Sequence, residues 1–234
     1  MKISALSFLF LFTILFSNAQ VIVGKVFTEA ADPLPVNAAT WANIPQGSYS
    51  GFVSVNEHFD RSSAPSSDKV KNTWNQKAWK GERVHTQALI YTTVPLKNIH
   101  LEVIELKSAS GKSIPLKNIQ ANFVRYVITD HLGDLKSGCG IPKNLPTSLH
   151  ADMIDNIKSF SINAQESRPV WLSVDVPADA KPGIYKGSLS IKGDRYKANH
   201  AFTIVVVNHI LPPAKDWTFH LDLWQNPYSD ARVN

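Results

Sequence analysis

From Arg83 onward, apolar and polar residues alternate over most of the chain with the two-residue period of extended strands. Arg83 to Thr92 sets Val84, Ala88 and Ile90 as apolar positions. Ile99 to Leu106 aligns Ile99, Leu101 and Val103, with Glu105 closing the row. Phe123 to Thr129 is a further run. Pro169 to Val176 turns Val170, Leu172, Val174 and Val176 to one side. Gly183 to Lys192 and Ala198 to Asn208 complete the set. Pro95, Gly111, Pro115, Pro177, Pro182-Gly183, Gly193 and Pro212-Pro213 punctuate these runs. There is no βαβ rhythm and no internal repeat. Repeated short strands with turns between them predict an all-β fold, an antiparallel β-sandwich of immunoglobulin-like type, over residues 83–211.

Two stretches depart from this pattern. Residues 20–82 are rich in turn chemistry: Asp32-Pro33-Leu34-Pro35, Asn43-Ile44-Pro45-Gln46-Gly47 and Ser62 to Ser67. They predict an irregular segment packed on the sandwich, with short strands such as Gly51 to Val55. Asp134 to Glu166 also breaks the alternation. A short helix is expected there over Leu149 to Phe160, inside a connection whose length fits either a functional or interfacial element or a packed surface excursion.

The two ends carry their own signals. Met1-Lys2, the apolar run Ile3 to Phe16 and the small residues Ser17-Asn18-Ala19 read as a signal peptide over residues 1–19. This predicts a secreted or periplasmic protein with no stable membrane insertion, since no later stretch is apolar enough to cross a bilayer. At the other end, Pro212-Pro213 reads as a hinge. Trp217 to Trp224 then alternates as a strand, Gln225-Asn226-Pro227-Tyr228 breaks it, and Ser229 to Arg232 resembles a helix start. Residues 212–234 are therefore expected to be a linker and the beginning of a further domain.

Composition narrows the chemistry. Hydrophobic residues make up 44% of the 234 positions, enough for a substantial core, and the formal net charge is +5. The basic residues are dispersed apart from Lys69, Lys71, Lys77, Lys80 and Arg83, which read as a solvated face rather than a nucleic-acid stripe. Cys139 is the only cysteine, which excludes an intramolecular disulfide. Between two glycines it reads as a small residue in a tight loop rather than a reactive thiol.

Catalytic signatures are missing. The sequence has no HExxH, GxSxG, P-loop or GxGxxG. His150, Asp152 and Asp155 are close in sequence but read as a solvated loop, so no metal site or cofactor is expected. Glu57 with Asp60, and Glu102 with Glu105, are the spaced acids, yet nothing forces either pair together as glycoside hydrolysis requires. No two acidic residues are adjacent anywhere. Trp74 and Trp79 lie in a Lys-rich segment, where they either stack on sugar or cover a sandwich edge or an interdomain seam. Trp171, on an apolar strand, is expected in the core.

Three segments carry a family resemblance. They are Trp79-Lys80-Gly81-Glu82-Arg83 with Gln87; Arg168-Pro169-Val170-Trp171-Leu172 continuing through Val176-Pro177 to Pro182-Gly183-Ile184-Tyr185-Lys186-Gly187; and Leu211-Pro212-Pro213 leading to Phe219 through Pro227. Together they resemble the N-terminal part of glycoside hydrolase family 123. The second segment reads as a hairpin in which Pro177 ends a strand, Pro182-Gly183 turns the chain and Tyr185 packs back. Glu82 and Arg83 are expected to brace the first long strand through charge-assisted bonds.

The resemblance implies a β-sandwich ahead of a (β/α)8 barrel that removes β-linked N-acetylgalactosamine by substrate-assisted hydrolysis. An adjacent Asp–Glu pair in the barrel carries that chemistry, and this chain has no such pair, so no catalytic residue transfers to it. Trp217 to Leu223 would be a stub of the first barrel strand. Trp224, Gln225 and Asn226 would lie at its C-terminal end, where such barrels bind substrate, and are the candidate substrate-binding residues. The expected partners are a glycan, through the barrel, and the barrel itself by intramolecular packing. The alternative is a self-contained secreted module that binds carbohydrate or a cell-surface partner.

Overall fold

Strand alternation translates directly into the fold, because successive side chains of a strand face opposite ways. A computed structural model describes residues 27–130 and 147–218. A single helical turn α1 (Ala38–Trp41) is followed by β1 (Ser48–Val53), β2 (Thr73–Lys80), β3 (Arg83–Thr92), β4 (Leu96–Val103), β5 (Leu106–Ser108) and β6 (Ser113–Ile114). Then come β7 (Ile119–Asp130), β8 (Thr147–Asp155), β9 (Phe160–Ile162), β10 (Glu166–Asp175), β11 (Gly183–Gly193) and β12 (Tyr196–Ile210). One sheet has the order β1-β3-β10-β7-β8, and all its neighbours are antiparallel. The other has the order β2-β12-β11-β4-β9, with β5 beside β11 and β6 beside β5. Its β2–β12 pair is parallel, Ala201 opposite Thr73 through Val206 opposite Ala78.

The two sheets share one apolar core. The first contributes Val84, Ala88 and Ile90 of β3, Phe123 of β7, and Val170, Leu172 and Val174 of β10. The second contributes Ala78, Leu96, Ile99, Tyr185, Leu189, Ile191, Phe202, Ile204 and Val206. Each fully buried Val, Leu or Ile stabilises by roughly 1.5–3 kcal/mol relative to exposure. Leu96 and Ile99 both face inward although three positions apart. The register shifts between them, and Asn98 there has φ 53°. That irregularity changes the phase of the strand.

β3 is buried on both faces. Its outward Leu89 and Tyr91 are covered by a second cluster with Trp41, Val53 and Ala64. That cover comes from residues 27–70, so this segment builds part of the interior. Residues 20–82, expected to be irregular, therefore supply β1 and β2 as well as loops. β1 lies close to the expected Gly51–Val55 strand, whereas β2 was not anticipated.

Three further expectations are corrected. Leu149 to Phe160 is not a helix: β8 pairs with β7 from Asp130 opposite Thr147 to Phe123 opposite Asp155. Trp171 is not in the core. It lies on the outer face of β10, half-buried, with its ring stacked 4.9 Å from His85. Finally, Pro177 to Pro182 does not close a hairpin. It carries the chain from β10 in one sheet to β11 in the other.

Candidate functional site

The substrate-binding residues expected from sequence, Trp224, Gln225 and Asn226, lie outside the described residues, as does Cys139. What the structure describes is the frame that the family-like segments build.

Trp79 to Arg83 makes the link between β2 and β3. Gly81 adopts φ +80°, a left-handed conformation that favours glycine. The Glu82 carboxylate turns back to accept the Trp79 backbone N–H at 2.6 Å. Arg83 makes a two-pronged contact with Asp175 of β10, from Nε at 2.5 Å and Nη2 at 3.0 Å. The Gly81 N–H donates to the Val176 carbonyl and the Val176 N–H to the Glu82 carbonyl. The first two family-like segments thus meet at one end of the molecule. Leu211 joins them there, donating its N–H to the Lys80 carbonyl.

The crossover that follows Val176 is held by Tyr185. Its ring is buried, and its hydroxyl donates to the Lys181 carbonyl at 2.7 Å. Gly187 comes next on the inward face. A Cβ there would lie 3.0 Å from Leu106 Cδ2 and 3.1 Å from Phe202 Cζ. The spacing of Tyr185 and Gly187 thus places a large ring and a gap on the same side of β11. A shallow cleft of about 420 Å³ opens beside the crossover, lined by Lys112, Lys117, Asn118, Asp179, Lys181 and Tyr185. It contains a single carboxylate, so paired-acid hydrolysis has no basis in it.

Arg168, which opens the second family-like segment, has a role that sequence reasoning missed. It is 1% exposed and grips the Glu29 carboxylate from Nη1 at 2.5 Å and Nη2 at 2.8 Å. Arg125 Nε reaches the same carboxylate at 2.9 Å and Arg61 Nη1 at 3.3 Å. The Tyr126 backbone N–H adds a bond at 3.0 Å. Burial opposes ionisation of Glu29, but Arg168, the Tyr126 amide and Arg125 outweigh it and hold the carboxyl below its ordinary value. Arg168 also lies over the rings of Tyr126 and Phe160, at 4.6 and 4.4 Å. Burial drives the Tyr126 phenol strongly upward, and its hydroxyl donates to backbone carbonyls of Phe59 and Ser167. The cluster ties residues 27–36 to the sheet. Its arginines face Glu29, Asp155 and Asp32, so it is an internal lock rather than an anion site.

The other candidates are spoken for. Among the described residues no group of three or more His, Cys, Asp or Glu is placed to hold a metal ion. Asp155 pairs with Arg125 and His150 sits edge-on to the ring of His58. Glu57 pairs with Lys69, Glu102 with Lys192 and Glu105 with Lys107. Trp74 packs against the core, with its ring near Phe52 and Phe202. Trp79 remains 46% exposed, its ring 5.7 Å from His209.

Comparison with known proteins gives this frame a context. The solved structure of a family 123 glycoside hydrolase from Clostridium perfringens, determined for glycolipid glycan hydrolysis, superposes with a TM-score of 0.66 at 23% identity. The superposition covers 79% of this chain and 31% of that one, so the chain spans less than a third of that enzyme. The CooA pilin subunit of enterotoxigenic Escherichia coli matches with a TM-score of 0.31 at 10% identity, over 70% of this chain and 99% of that one. A putative membrane-anchored protein from Corynebacterium diphtheriae matches at 0.30 and 15% identity, over 71% and 37%. Both scores fall below the level at which two chains share an overall fold. The search of curated proteins gave no match. The sequence model of the glycoside hydrolase 123 N-terminal domain matches residues 52–193, which takes in the Trp79–Arg83 link, Arg168 and the crossover to Gly187. By that match the chain belongs to the glycoside hydrolase 123 N-terminal domain family.

Proposed function

We propose that the chain is the non-catalytic, immunoglobulin-like β-sandwich at the front of a secreted glycoside hydrolase that acts on N-acetylgalactosamine-containing glycans. Its role is to support a catalytic barrel that follows it. The observation that carries this reading is the family match over residues 52–193. The spaced acids fit this reading, since Glu57, Glu102 and Glu105 are each engaged with a lysine. Substrate contact then falls to Trp224, Gln225, Asn226 and the barrel beyond.

The test compares two proteins on a chromogenic β-N-acetylgalactosaminide. One is this chain; the other continues through the reading frame beyond Asn234. Turnover by the longer protein alone is the expected result. Turnover by this chain, or a native frame that stops at Asn234, overturns the reading.

The exposure of Trp79 favours a second reading, a glycan-binding surface on the sandwich itself. Calorimetry against N-acetylgalactosamine glycans tests it, with binding expected to vanish in Trp79→Ala.

A further inference from the structure

We infer that the cleft beside the crossover from β10 to β11 is a binding site for an acidic sugar, one that carries a sulfate or a carboxylate. The inference goes beyond the proposed function and stands apart from it, because every residue it uses lies in the sandwich itself. Two chain segments bring the charge together. Lys112 and Lys117 flank β6, and Lys181 lies on the crossover. Asp179 is the single carboxylate of the cleft. Elsewhere Lys69, Lys107 and Lys192 are each paired with a glutamate. Among the described residues the ammonium groups of Lys112, Lys117 and Lys181 have no such partner, and Asp179 pairs with none of them. Three cations against one acid give the cleft a positive potential, which a concave wall concentrates.

The lining specifies more than charge. Pro115 and Pro177 give the cleft an apolar wall. Asn118, which also lines it, donates its amide N–H to the Asp175 carbonyl at 3.1 Å, and this holds the side chain in place. The Asn118 Oδ1 is buried and accepts no hydrogen bond among the described residues. A buried acceptor in that state calls for a donor. A bare inorganic ion would use the charge alone. An acidic sugar uses all three features: its hydroxyls donate, its C–H face lies against proline, and its anionic group takes the ammonium charges. Lysine suits such a group, because its three donors turn on a flexible stem and follow either oxyanion geometry. The volume of about 420 Å³ falls in the range of small-ligand sites.

The test is a heteronuclear NMR titration of the chain with four compounds: N-acetylgalactosamine 6-sulfate, glucuronic acid, N-acetylgalactosamine and inorganic sulfate. Saturable shifts at the amides of residues 112–118 and 179–185 are expected with an acidic sugar, and which of the two binds tells sulfate from carboxylate. The neutral sugar and inorganic sulfate are expected to bind about tenfold more weakly or worse, each lacking one set of contacts. Lys117→Gln combined with Lys181→Gln should weaken the acidic sugar by about tenfold or more. Lys77→Gln combined with Lys97→Gln removes the same charge elsewhere on the surface and should leave binding unchanged. No binding of either acidic sugar, equal binding of the neutral one, or equal effects of the two double variants overturns the inference. Inorganic sulfate binding as tightly as the sugars also overturns it, leaving an adventitious ion only. No turnover is read, so loss of this site leaves the glycosidase reading standing, and failure of the turnover test leaves this site standing.

Discussion

Arg168 and Glu29 are 139 positions apart in sequence, yet their side chains meet in a two-pronged ion pair with the arginine 1% and the carboxylate 9% exposed. Removing one partner of such a pair leaves a charge buried without compensation. Glu29→Gln is expected to cost about 3–5 kcal/mol, read as a lowered urea midpoint. The pH dependence follows from the same contact. The folded-state pKa of Glu29 is depressed, so its contribution is fully present above the unfolded carboxylate value and lost as pH falls through the folded one. Acid unfolding curves should therefore be shallower below about pH 4.5 in Glu29→Gln than in the parent chain.

A second titration sits between the sheets. Ser50 of β1 lies 2.6 Å from His200 Nε2 and 2.6 Å from the Tyr196 hydroxyl. Burial lowers the His200 pKa, against a smaller opposing effect from the Asn72 backbone. The unfolded chain thus binds the proton more readily than the folded one. Stability is expected to fall as pH drops from the unfolded histidine value, about 6.5, toward the lower folded one. Unfolding measured at pH 5 and pH 7.5 should show this loss, and His200→Gln should reduce it.

Gly187→Ala tests the packing of the crossover. The new methyl would press on Leu106 and Phe202 at 3.0 and 3.1 Å. Overpacking of this kind costs about 1–3 kcal/mol. Calorimetric unfolding is expected to show the loss, and Leu106→Val should recover part of it by making room.

The two tryptophans of β2 should behave oppositely. Trp74 packs on the core beside Phe52 and Phe202, so Trp74→Ala is expected to destabilise by about 2–4 kcal/mol. Trp79 is half in solvent, and in this chain Trp79→Ala should change stability by no more than about 0.5 kcal/mol. Thermal melts of both variants distinguish a core-covering ring from a surface one.

These contrasts mark what alternation can and cannot convey. β11, β12 and the second half of β10 were legible because they bury every second residue, as Val170, Leu172 and Val174 do, and β3 because its apolar positions are extended although both its faces are covered. β8 was not. Leu149, Met153, Ile157 and Phe160 fall at helical spacing, and the register shifts where Arg125 pairs with Met153 and Tyr126 with Ala151, leaving Asp152 unpaired. Trp171 misled because its neighbours Val170 and Leu172 face the core while it faces out. The turn chemistry of Pro177 to Gly183 was readable, but not the fact that it changes sheets, since the pairing of a strand is decided by distant residues. The Arg168–Glu29 lock left no local trace for the same reason. The Trp79–Arg83 link was partly legible, because the Glu82–Trp79 bond runs within the segment, whereas the contacts of Arg83 with Asp175 and of Gly81 with Val176 span more than ninety positions and left no local trace.

The parallel pairing of β2 with β12 bears on how the fold can be assembled. Among the described residues β2 is an edge strand with one strand partner, β12, along which Thr73 to Lys80 lie against Ala201 to Ile210. A nascent chain that has not yet reached Ala201 lacks the strand against which β2 forms its ladder. Assembly of this sheet must wait for its far end, and loop closure over that span makes the step slow. Growth in length therefore does not complete this sheet strand by strand; β2, made early, gains its neighbour only when the last of the described strands is made.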